Sequence, residues 1–163
     1  MYFWRTDKLI EDLKQNRVSQ NEFKNYYLAS SIIVLLGIFA SSQIEPEELK
    51  ISFALFLINL GLLISWTNAI FKANGGAQGH AFLNRIIALY LPIMLKTTAF
   101  VIVLYSLILS IFNQFEADFD KAQFAHIKTL ISMAVDIFSS FLVYWRIYAA
   151  VKKINSPQAA VKS

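Results

Sequence analysis

Residues 86–112, IIALYLPIMLKTTAFVIVLYSLILSIF, hold one charged side chain, Lys96, in an otherwise apolar run. A hydrocarbon core about 30 Å thick is crossed by about 20 consecutive apolar residues in a helix. This stretch exceeds that length, so it spans with tilt or with a kink. Pro92 supplies a place for the kink: it removes one helix hydrogen bond and frees a carbonyl near Ala88. Working outward, three further apolar blocks have the same character, at about 26–42, 51–71 and 127–148. The sequence therefore predicts an all-α fold, a four-span transmembrane helical bundle over 19–150.

Composition agrees. Hydrophobic residues make up 56% of the 163 and charged residues only 16%. Soluble domains carry about 45–50% and about 25%. Cysteine is absent, which excludes disulfides, thiol catalysis and cysteine-ligated metal. The net charge of +4 sits beside apolar spans. It points to anionic lipid headgroups rather than to nucleic acid.

Residues 1–18 form a short amphipathic N-terminal segment in which Leu9, Ile10 and Leu13 recur at helical spacing. Two placements fit: flat in the headgroup region with Arg5, Lys8, Lys14 and Arg17 facing phosphates, or packed on the bundle as a solvated helix. Ser19-Gln20-Asn21-Glu22 matches a capping box, with Val18 and Phe23 as its hydrophobic staple, so a helix begins near Gln20. Asp7, Glu11, Asp12 and Glu22 in the leading region exclude a cleavable signal peptide. Glu45-Pro46-Glu47-Glu48 reads as an acidic turn, and Ala73 to His80, with three of the five glycines, as a flexible loop. Residues 151–163 read as a polar, frayed tail. The four spans alternate as two hairpins.

Lys and Arg resist translocation. Arg5, Lys8, Lys14, Arg17, Lys24, Lys72, Arg85, Arg146, Lys152, Lys153 and Lys162 fall on one side; Lys50, Lys121 and Lys128 fall on the other. Trp4, Trp66 and Trp145 map near the basic side, as interfacial anchors do. The expected location is a bacterial inner membrane, multi-pass, with both termini cytoplasmic.

Two ionisable residues interrupt the spans. Counted from their respective ends, Lys96 and Asp136 each lie roughly 15 Å deep at about 1.5 Å per residue. A lone charge at that depth costs roughly 2.5–3.5 kcal/mol, so a Lys96–Asp136 contact on adjacent antiparallel helices is expected. Asn59 lies at similar depth, and Thr129, Ser132, Asp136, Ser139 and Ser140 make a polar stripe on the last span. Ser30, Gly37 and Ser41 give the first span a small-residue face. Such a cluster can be polar glue between helices, a site that recognises another membrane protein, or a proton or ion path.

Catalytic chemistry has no residue set. His80 and His126 are expected on opposite sides of the membrane, which leaves no shared metal site, and no cofactor is implied. Gly75-Gly76-Ala77-Gln78-Gly79 lacks the Lys-Ser/Thr and the preceding strand of a phosphate loop. Asp136 is the only carboxylate at depth, so a paired acid and base is missing. The acids of the two loops, Glu45, Glu47, Glu48, Glu116, Asp118 and Asp120, read as solvated. In size and layout the chain resembles the four-span immunity proteins that guard against pore-forming colicins, without a shared motif. The sequence thus points to a non-enzymatic membrane protein that packs against another membrane protein. The competing reading is a homo-oligomeric channel or proton-linked transporter using Asp136 and Lys96.

Overall fold

The computed structural model describes residues 2, 4–41 and 49–156, with backbone alone at 20, 35–41, 49–50 and 118. The acidic turn at 45–48, the small-residue surface expected at Gly37 and Ser41, and the tail from 157 lie outside what is described. Within them the protein is helical throughout: α1 (Thr6–Lys14), α2 (Gln20–Ser41), α3 (Leu49–Ala73), α4 (Phe82–Phe112) and α5 (Lys121–Asn155). Short 3-10 turns at Gly76–Gln78 and Asn113–Asp118 complete the order. Three helical stretches, Ile51–Ala73, Phe82–Ala117 and Lys121–Asn155, are long and apolar enough to cross a membrane.

Helix starts follow local chemistry. The Ser19 backbone N–H donates to Glu22 Oε2 at 3.0 Å, and the Glu22 N–H donates back to Ser19 Oγ at 3.3 Å. This reciprocal pair satisfies two amide donors that the first turn of α2 leaves open. Asp120 caps α5 from one side, its Oδ1 accepting from the amides of Ala122 and Gln123 at 2.9 Å. Asn16, at φ 53°, turns the chain between α1 and α2; asparagine tolerates that left-handed conformation better than most residues.

Among the described residues α4 packs on α5 and on α2, and α5 packs on α3. The principal order in space is therefore α2–α4–α5–α3, with α1 lying on α4 and α5. Among the described residues α2 packs mainly on α4 and α3 mainly on α5, rather than on each other as the expected first hairpin has it. The α4–α5 pair closes on a stack of Phe112 and Phe124, ring centroids 4.7 Å apart and planes 6° from parallel.

Burial is uneven along the helices. Leu9, Ile10 and Leu13 of α1 join Tyr26, Ile70, Ala88, Leu89, Leu91, Ile93, Val143, Ile147, Ala150, Val151 and Ile154 in one core. All of these lie at the basic end. Beyond Thr97 on α4, the side chains of Phe100, Ile102, Val103, Leu107 and Ile111 are exposed, as are Leu130, Phe138 and Phe141 on α5. Exposed apolar surface on that scale is what a lipid-facing band presents, and a soluble monomer avoids it. Of the two placements open to α1, the structure takes the packed one.

The loop after α3 is also fixed. Arg85 Nη1 donates to Asn74 Oδ1 at 2.7 Å and to Asn155 Oδ1 at 2.8 Å. Asn155 Nδ2 in turn donates to the Ala73 carbonyl at 2.8 Å. These bonds clamp the α3–α4 connection to the end of α5, so the glycines serve a tight turn rather than a slack linker. Gly75 has φ +100°, and a Cβ on Gly79 would collide with the backbone and amide of Asn74. The C-terminal boundary also moves: α5 continues past Lys152, carrying Val151 and Ile154 into the core.

Candidate functional site

The two charges inside the expected spans do not meet. Lys96 Nζ donates to Thr6 Oγ1 of α1 at 2.9 Å. Asp136 Oδ2 instead accepts from Asn59 Nδ2 of α3 at 3.2 Å. This corrects the expected Lys96–Asp136 pair, and helix geometry explains why. Measured from the Phe112–Phe124 stack, Lys96 lies sixteen residues along α4 and Asp136 twelve along α5. That offset of four residues is about 6 Å along the bundle. Side chains also lean toward the N-terminus of their own helix. The helices are antiparallel, so Lys96 leans to the basic end and Asp136 away from it.

Lys96, midway along α4, turns toward the basic end. It lines a cleft with Thr6, Trp145, Arg146 and Lys153. The apolar residues that precede it on α4, from Ala88 to Ile93, face protein at the basic end. Pro92 is fully buried there, and α4 continues through it as one helix. Thr97 Oγ1, next along, is buried and has no hydrogen-bond partner among the described residues.

Asp136 has the opposite setting. It is exposed on α5 within the apolar band, nine residues from Trp145, or about 14 Å along the helix. With Thr98, Val101, Tyr105, Ser132 and Ser139 it lines a cleft of about 220 Å³ between α4 and α5. Asn59 braces the carboxylate while also donating to the Leu55 carbonyl at 3.1 Å. Ser132 and Ser139 make no hydrogen bond among the described residues, and Ser140 is half-buried outside this cleft. Thr129 and Ser30 donate to carbonyls of their own helices, at Ala125 (3.2 Å) and Tyr26 (2.8 Å). Such back-bonding satisfies a hydroxyl in lipid without tying two helices together. The structure thus joins Asn59, Asp136, Ser132 and Ser139 and separates Lys96 from them.

Outside the spans, charge is neutralised locally. The Tyr2 hydroxyl and then the Arg17 guanidinium hold the Asp12 carboxyl below its usual range. Arg17 Nη2 and Nε both donate to Asp12 Oδ1, at 2.6 and 3.0 Å. The Ser19 amide, followed by its hydroxyl, lowers Glu22.

Sequence reading missed Thr6 as the partner of Lys96, since nothing local links positions ninety residues apart. It also missed the Asp120 cap, for which a signal existed: an acid just ahead of a helix-forming run. Compared with known protein families, curated proteins and solved structures, the chain matches none. Its function has to be argued from its own residues.

Proposed function

We propose that this is a non-enzymatic, multi-pass protein of a bacterial inner membrane that acts by packing against another membrane protein at the α4–α5 seam. In this reading α2 is a fourth span, the basic end faces the cytoplasm, and both termini lie there, following the bias of Lys and Arg. The reading is carried by one observation: the Asp136 carboxylate is exposed on the apolar band, and among the described residues Asn59 alone braces it, on one side. A charge in that position costs roughly 2.5–3.5 kcal/mol on insertion scales, and more where water is excluded. A partner helix offering a lysine, arginine or amide side chain removes that cost. The hydroxyls of Thr98, Tyr105, Ser132 and Ser139 beside it supply further donors and acceptors.

Photo-crosslinking in native membranes tests the seam. A crosslinker at Ser139 should give one adduct of defined mass that disappears with Asp136→Leu, while a crosslinker at the exposed Phe56 of α3 should not. Adducts that are equal from both positions, or indifferent to Asp136, count against the seam. If the purified chain alone conducts ions in liposomes and Asp136→Asn abolishes the flux, the channel reading replaces this one.

A further inference from the structure

We infer that the cleft between α1, α4 and α5 at the basic end is a binding site for the phosphate of an anionic phospholipid headgroup. The cleft encloses about 390 Å³ and presents three cations, Lys96, Arg146 and Lys153. Among the described residues no carboxylate lines it. Asp7 is the only acid that reaches one of these cations among the described residues, 3.4 Å from Lys153, where both side chains are well exposed. Lys96 is different. It is half-buried, its reach is fixed by α4, and its one recorded partner is the neutral Thr6 hydroxyl. An ammonium has three donors, so two remain for an anion in the cleft. Arg146 adds a planar guanidinium, the side chain best matched to two phosphate oxygens at once.

The position suits a lipid rather than a free ion. Trp145 lines the same cleft and is 49% exposed. Trp4 borders a neighbouring cleft at Met94, Thr98 and Ile102, and Trp66 packs edge-on against Phe141 and Tyr148. Trp145 and the cations of this cleft thus lie together at the basic end, and tryptophan with Lys and Arg is the side-chain set that meets headgroups. Below Lys96, on the same stripe of α4, Phe100, Val103 and Leu107 are exposed; Phe138 continues the stripe of Trp145 on α5. These give acyl chains an apolar path leading away from the cationic cleft. Basic pockets between membrane helices on the cytoplasmic side bind phospholipid headgroups in just this manner. The inference rests on α4 and α5 lying in a bilayer and is independent of any protein partner at Asp136.

Native mass spectrometry of the chain purified in maltoside tests it, with equal additions of phosphatidylglycerol, phosphatidylcholine or inorganic phosphate. The wild type should retain phosphatidylglycerol at least tenfold more than phosphatidylcholine. Lys96→Gln with Arg146→Gln should reduce that preference to threefold or less, whereas Lys96→Arg should keep it. Lys24→Gln with Lys72→Gln removes two cations outside the cleft and should leave the preference intact. Equal retention of the two lipids overturns the inference, as does an equal loss in the control pair. Displacement of the lipid by an equal concentration of inorganic phosphate would make this a site for the soluble anion, and would overturn it too. If the Gln variants fail to fold, the wild-type lipid preference and its competition by phosphate still decide.

Discussion

Replacing Leu9 by alanine separates a structural α1 from one that merely rests on the membrane. Leu9 is 0% exposed, and Leu13 and Ile10 beside it are buried at 3% and 7%. Truncation to alanine deletes three carbon groups, worth about 0.8 kcal/mol each on transfer, or roughly 2.4 kcal/mol. The vacated space adds a cavity term, because α4 and α5 can close over it only in part. Leucine-to-alanine substitutions in packed cores accordingly cost about 2.7–5.0 kcal/mol. We expect Leu9→Ala to lower the unfolding free energy by about 3 kcal/mol in maltoside, read by tryptophan fluorescence through an SDS titration. Trypsin should then cut faster at Arg17, which becomes accessible as α1 undocks. Lys8→Ala, at an exposed position of the same helix, should change stability by no more than about 0.5 kcal/mol. A Leu9→Ala cost below about 1 kcal/mol, with unchanged proteolysis, would refute the packing assigned to α1 and return it to the headgroup layer.

Thr6→Val should destabilise the protein by about 0.5–1.5 kcal/mol through the lost Lys96 hydrogen bond. In a Lys96→Met background the same change should cost nearly nothing, a double-mutant cycle that reads the contact directly. Because the folded carboxyl of Glu22 lies below its ordinary 4.5, the stability it contributes is present above that value and lost as pH falls through the lower folded one. Glu22→Gln should therefore flatten the acid side of the stability profile below about pH 4.5, measured by thermal unfolding. Ser19→Ala should cost about 1 kcal/mol at neutral pH through the lost cap. Gly79→Ala forces a methyl into Asn74, and by analogy with overpacked sites should cost about 1–3 kcal/mol in the same unfolding assay.

Much of the local structure was legible in the sequence because its causes are local. The Ser19–Glu22 box starts α2 where four residues say it should, and the apolar periodicity of Leu9, Ile10 and Leu13 marks the face that α1 buries. The helices around 51–71, 86–112 and 127–148 follow from runs of apolar residues too long for anything else. The same runs did not say what each helix faces. Hydropathy is blind to whether Leu89 or Ile93 faces lipid or another helix, since both settings reward the same side chain. The residues before Lys96 belong to a packed core with α1 and α5, a setting that apolar runs alone do not reveal.

The sequence by itself determined a helical chain rich in membrane-length segments, the start of α2, and which two charges interrupt the apolar runs. Only the tertiary structure decided the partners of those charges: Lys96 with Thr6, and Asp136 with Asn59. The reason is physical. A helix start depends on four neighbouring residues, whereas a contact between helices depends on their relative register and on the opposite lean of side chains on antiparallel neighbours. Neither of those quantities is carried by any local stretch of the chain.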